Sequence, residues 1–288
     1  MRSVAWMFLL MAVGLAAFGC GGLHDRFRGN TNTPDANANQ TVPAPTGPHL
    51  AFGNPSAATA DPSNETNFLV VGQGSVFSYN NSRGGVNWVS WRTTRDDLGP
   101  AIPRPDFRPD PRLPDWYNRI GYYDYSGSGY DRGHLVPSAD RFANRIHNEE
   151  TFMMSNIVPQ TGALNQYPWN EFEKYIRSQA RRRLDVHQIA GCYGEAGRLK
   201  HKITVPTNCW KIAMFLPRGT DPAELSERTR IIAVDMPNAE GIEKTGWQRY
   251  RTTIRAVEEK TGLDFFSARP QALQDAVETR METVSPRQ

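Results

Sequence analysis

The chain has 288 residues, 39% of them apolar and 10% aromatic, enough to close the core of one large domain or two small ones. A mean hydropathy of −0.58 excludes a polytopic membrane protein. With 33 basic against 30 acidic residues and no basic tail, the charge points only weakly to a polyanionic partner.

The N-terminus reads as an export signal. Met1-Arg2 precedes an apolar run over residues 4–18 that is short for a bilayer span, and Gly19-Cys20-Gly21-Gly22 closes it with small residues. A cysteine at that position resembles a lipoprotein signal over residues 1–20, in which Cys20 would be lipidated and become the new N-terminus. Ordinary cleaved secretion is the other reading. Both carry the mature chain out of the cytoplasm, to the periplasm, cell envelope or medium, and lipidation would add a membrane anchor. Residues 21–67 are rich in Asn, Thr, Pro and Ala with few large apolar side chains, too few to offset the entropy of ordering them. They are expected to form a flexible tether.

The folded part is expected over residues 68–268, with 269–288 as a C-terminal tail in which residues 272–281 form a weak helix. Residues 68–72, 75–80 and 86–92 have strand character, and the last two flank the turn-rich Asn80-Asn81-Ser82-Arg83-Gly84-Gly85 as in a hairpin. Residues 100–114, dense in Pro, Arg and Asp, predict an ordered loop. A short helix is expected at 149–154 and a long one at 169–184, where Trp169, Phe172, Ile176, Ala180 and Leu184 recur at helical spacing. Strands at 186–192, 203–215 and 230–236 and a helix at 251–260 complete an α+β pattern. Cys192 and Cys209 fall in consecutive predicted strands: they either pair in an oxidising compartment or stay as buried thiols, and neither has zinc-site spacing.

Two stretches carry chemistry. In Gly127-Ser128-Gly129-Tyr130-Asp131-Arg132-Gly133-His134-Leu135, an imidazole that titrates near neutrality follows a guanidinium fork suited to phosphate. Gly133 between them is expected to allow close approach of a charged ligand. The second stretch runs from Ser155-Asn156-Ile157-Val158-Pro159-Gln160 to Asn165 and Glu173. Asn165 reads as a loop residue before the long helix, where it either caps the helix or offers an amide oxygen to a hard cation. Glu173 is either a solvated partner of Arg177 or an outer group holding metal-bound water. No serine–histidine–aspartate ordering or phosphate-binding loop is present.

These motifs, with Val76-Phe77-Ser78-Tyr79-Asn80, Trp88-Val89-Ser90-Trp91, Val205-Pro206-Thr207 and Met236-Pro237-Asn238, resemble the DNA/RNA non-specific endonucleases over residues 68–267. The resemblance implies a ββα-metal (His-Me finger) fold, a central antiparallel sheet flanked by helices, and phosphodiester hydrolysis of DNA and RNA. It implies His134 as general base, Asn165 as the one protein ligand of Mg²⁺ (with Mn²⁺ or another divalent cation as alternatives), Glu173 orienting the metal's waters, and Arg132 on the phosphate. Asp131 braces the loop. A further arginine is implied in Arg104-Pro105-Asp106-Phe107-Arg108, with Arg104 favoured over Arg108. The resemblance leaves a homodimer open. A phosphodiesterase acting on another substrate and an inactive nucleic-acid-binding surface protein are the competing classes.

Overall fold

The computed structural model describes residues 47–282. The predicted signal with Cys20, residues 21–46 of the predicted tether and residues 283–288 lie outside the described residues.

Seven strands form one antiparallel sheet: β1 (Phe68–Val71), β2 (Val76–Asn80), β3 (Gly85–Thr93), β6 (Leu184–Tyr193), β9 (Asn208–Pro217), β10 (Arg230–Pro237) and β11 (Arg251–Thr252), in that spatial order. Outside it lie two ribbons, β4 (Asp131–His134) with β5 (Ile157–Gln160) and β7 (Gly197–Leu199) with β8 (Ile203–Val205). The helices are α1 (Arg145–Thr151), α2 (Gly162–Leu164), α3 (Asn170–Arg181), α4 (Ile254–Thr261) and α5 (Gln271–Glu278). Alternation along β3 sends Val89 and Trp91 to one face and Trp88 to the other. The first face packs on Trp169, Phe172, Ile176 and Ala180, the apolar stripe of the long helix. The second meets Ile254 and Val257 of α4, Phe265, Phe266 and Val277 of α5. Covered on both sides, β6 and β9 are buried almost end to end.

Local chemistry moves several boundaries. The predicted strand 203–215 is two strands, because Pro206 has no N–H for a ladder. The long helix stops at Arg181: Arg183 takes a left-handed conformation and Leu184 opens β6. Cys192 and Cys209 are directly opposed on β6 and β9 and joined as a disulfide.

Residues 47–67 correct the tether boundary, for they pack on the domain. Phe52 is fully buried against Phe265 and Phe266, and Asn67 bonds Ser56 and Ser78. The Arg92 N–H donates to His49 Nδ1, and His49 Nε2 contacts the Gln73 carbonyl. A single aromatic anchor and matched polar groups order a segment that composition alone marks as too polar to fold.

The tail is likewise part of the domain. Arg255 on α4 pairs with Glu258 at 3.2 Å and with the buried Glu278 of α5 at 2.7 Å. Burial, then the neighbouring Glu258, pushes the Glu278 carboxyl up to about 7. A raised carboxyl pKa costs stability above pH 7 and nothing below the unfolded value near 4.5. Glu278→Gln is therefore expected to stabilise the protein by about 1–2 kcal/mol at pH 8 and to be neutral at pH 4. Thermal melts at the two pH values check this; equal effects at both would contradict it.

Candidate active site

The Asp-Arg-Gly-His stretch is not a loop but the strand β4, paired antiparallel with β5 so that His134 opposes Ile157 and Asp131 opposes Gln160. Gly133 is needed for packing: a Cβ there would run into the Gln160 side chain. The close approach expected of a ligand is made by the neighbouring strand instead. Beyond β4 the chain is fixed by Asn156, whose amide accepts from Val136 N–H and donates to the carbonyls of Val136 and Thr151.

Facing the ribbon is a helical run, opened by Thr161, whose hydroxyl accepts from Leu164 N–H. Pro168 cannot donate within it, and the chain widens into a π turn over Asn165–Trp169 before α3 begins. Asn165 is thus helical rather than a loop residue. Its amide nitrogen donates to Asp131 Oδ2 at 2.9 Å, as does that of Gln166. An ionised carboxylate only accepts, so Asp131 fixes which end of the amide faces it and leaves Asn165 Oδ1 free of described hydrogen-bond partners. Trp169 Nε1 donates to the His134 carbonyl at 3.3 Å, tying the helical run to the strand.

His134 is half-buried between Phe107 and Phe152, with ring centroids at 5.5 and 5.0 Å. Its Nε2 has no hydrogen-bond partner among the described residues. Burial, then the charge of Arg104, lowers its pKa to about 4 against an opposing hydrogen bond to the Arg132 backbone. The ring is therefore neutral near pH 7. The Arg104 guanidinium is exposed and lies 5.0 Å from the Phe107 ring and 5.4 Å from Phe152, the two rings that hold His134. Arg108 instead pairs with Glu149 at 3.5 Å, and its backbone bonds Phe152 and Met154. Arg132 donates to the Tyr122 carbonyl and lies 3.8 Å from the Tyr122 ring, with its Nε unpartnered.

Glu173 is nearly buried, with one edge on the cleft, rather than a solvated surface group. It is 9% exposed and accepts from Lys211 Nζ at 2.9 Å, while Arg177 lies 3.9 Å away. Lys211, on β9, is fully buried; its ammonium also donates to the Leu135 carbonyl and sits 4.3 Å from the Trp169 ring. Burial pushes the Glu173 carboxyl up and the Lys211 ammonium down, each opposed by the other's charge. Arg177 completes the network on Asp140, which also accepts from Trp91, Thr93 and Gln188. Burial pushes the Asp140 carboxyl up, but Arg177, Arg141 and Lys211 outweigh it and hold it below the usual range.

His134, Asn165, Gln166, Asn170, Glu173 and Arg177 line one open cleft of about 310 Å³. Sequence reasoning missed the site roles of Arg177 and Lys211. The i, i+4 spacing of Glu173 and Arg177 flagged the pair, but spacing does not distinguish a surface pair from one over a sheet. Nothing local marked Lys211. Among the described residues no three His, Cys, Asp or Glu side chains converge as a metal cage. The cleft does fit a hard cation that keeps most of its waters: it offers one oriented amide oxygen, open space and a carboxylate alongside.

A histidine on a two-stranded ribbon, set across a cleft from a helix bearing amide and carboxylate, defines a ββα-metal nuclease. The chain belongs to the DNA/RNA non-specific endonuclease family, whose sequence profile matches residues 53–272, and it is a hydrolase acting on nucleic acids. It is 39% identical to a nuclease of Nostoc sp. over 236 residues, 81% of this chain and 86% of that protein. Human mitochondrial endonuclease G is 33% identical over 175 residues, 56% of each chain. Among solved structures, an EndoG/EndoGI complex matches with a TM-score of 0.61 at 24% identity, over 71% of this chain and 88% of that one; it supports the fold.

Proposed function

We propose that the protein is an exported, Mg²⁺-dependent endonuclease that hydrolyses DNA and RNA with little sequence preference and leaves 5′-phosphate ends. The observation that carries the reading is the single cleft bounded by a neutral His134 and by Asn165, whose amide Asp131 turns oxygen-first away from itself. His134 takes the proton from a water attacking the phosphorus. The substrate's own negative charge offsets the field of Arg104 and strengthens the imidazole as an acceptor once the complex forms. Arg104 and Arg132 contact the phosphate and hold positive charge where the transition state gathers negative charge. Asn165 Oδ1 would hold the cation, and Glu173, fixed by Lys211 and Arg177, would accept hydrogen bonds from water in the cleft. When bound, Mg²⁺ supplies charge neutralisation at the scissile phosphate and an acidic water for the leaving oxygen; Mn²⁺ fits the same oxygen donor. Contacts through phosphates carry no base sequence, so affinity falls steeply with salt and little with sequence.

Export rests on the N-terminal apolar run and on the Cys192–Cys209 disulfide, which suits an oxidising compartment. Lipidation at Cys20 would anchor the domain to a membrane.

Asn165→Ala tests the reading. Plasmid and RNA cleavage should fall by about 10²-fold or more, with the Mg²⁺ concentration for half-maximal rate moved upward. An unchanged Mg²⁺ requirement would remove Asn165 as the ligand.

A further inference from the structure

Leading away from His134 is a file of aromatic rings whose outer end, Tyr123, the mechanism does not use. Centroid distances are 5.5 Å from His134 to Phe107, 6.5 Å from Phe107 to Tyr122 and 5.3 Å from Tyr122 to Tyr123. The file goes from the cleft to solvent: Tyr122 is 45% exposed and Tyr123 77%. Isolated exposed aromatics are ordinary, but these two are consecutive, meet edge to face, and adjoin the site. Cations accompany them. Arg132 lies over the Tyr122 ring, and Lys200 Nζ donates to the Tyr123 carbonyl at 2.6 Å. Exposed rings with a cationic track beside them are what sequence-tolerant binding of single strands requires, since every base has a π-face and an unpaired strand can turn it outward. A duplex keeps its base faces stacked and offers this ledge only its backbone.

We propose that Tyr123, backed by Tyr122, is a stacking subsite for an unpaired base of the strand that runs out of the cleft, so that single-stranded nucleic acid is held by a contact that duplex lacks. The proposal deepens the nuclease reading of the His134 cleft and rests on it for the position of the phosphate. Tyr123 makes the cleaner test, because the Tyr122 ring also supports Arg132.

The experiment uses the full chain carrying His134→Ala, so that bound oligonucleotides stay intact. Dissociation constants are measured by fluorescence anisotropy for a short single strand containing 2-aminopurine and for a hairpin duplex of the same sequence. Adding Tyr123→Ala should weaken single-strand binding about tenfold, within the range of 1–3 kcal/mol per stacked base, and abolish the 2-aminopurine quench. Duplex binding should stay within about twofold, and Tyr123→Phe should restore the single-strand affinity. Equal loss on both substrates, or no loss on either, would overturn the subsite. Plasmid digestion by the unmutated chain separates the two readings. A chain that cut nothing yet bound single strands through Tyr123 would sink the hydrolytic mechanism and leave the stacking contact standing.

Discussion

His134→Ala is expected to lower the rate of phosphodiester hydrolysis by about 10³-fold or more while leaving fold and nucleic-acid binding intact. The ring lies half-buried between Phe107 and Phe152, and its loss removes the proposed base without touching Asn165, Glu173 or the arginines. The pH dependence of the unmutated protein gives a sharper reading of the same group. With the free-enzyme pKa lowered to about 4, the imidazole is already neutral at pH 5. The acid limb of kcat/KM assigned to this group should therefore fall near pH 4 rather than near 6.5. In the bound complex the phosphate's charge favours the imidazolium, so the corresponding limb of kcat should lie at higher pH. Rates measured across pH 4–8 check both, and coincident limbs near 6.5 would show that burial and Arg104 do not act on the ring as described.

The second large effect is expected from Lys211→Met. Lys211 Nζ joins Glu173 on α3, the carbonyl of Leu135 directly after His134, and the face of Trp169, whose indole holds the His134 carbonyl. One ammonium thus ties both walls of the cleft to the central sheet. Removing it leaves Glu173 buried with only the more distant Arg177 and facing the charge of Asp140. Breaking a buried pair from one side typically costs about 3–5 kcal/mol, because the remaining charge has lost its partner. For a domain of this size that corresponds to a fall in Tm of roughly 10 °C. Activity should fall as well, since Glu173 would no longer be held in place. Adding Glu173→Gln to Lys211→Met should recover part of the lost stability, because the orphaned charge goes with it. A loss below about 1 kcal/mol for Lys211→Met alone would show that the pair carries little of the site's order.

Much of this was legible in the residues, and what was not has physical causes. The long helix announced itself through Trp169, Phe172, Ile176 and Ala180, a stripe that repeats at 3.6 residues and is buried throughout. The strands β2, β3, β6 and β10 were visible for the same kind of reason. The ribbon that carries His134 was hidden, since Asp-Arg-Gly-His and a strand containing Pro159 have little intrinsic strand preference; tertiary pairing and the fit of Gln160 over Gly133 make them strands. The π turn was hidden because Pro168 argues for a break, whereas the chain absorbs it by widening. Lys211 looks like the polar half of an alternating strand, yet both faces of β9 are covered, so its charge is buried. Residues 47–67 read as tether because composition counts apolar density and does not see one well-seated Phe52. The candidate site residues His134, Asn165, Arg132 and Glu173 were visible as chemistry, and Asp131 as a bracing residue; the support from Lys211 and Asp140 required the fold.

Conversion of supercoiled plasmid to nicked and linear forms tests most directly whether His134 and Asn165 act on the same phosphodiester from one cleft. The unmutated chain should cut with Mg²⁺ and stop with EDTA, and His134→Ala should be inert under both conditions. Cleavage by His134→Ala at the unmutated rate, or full activity with EDTA present, would contradict that joint action.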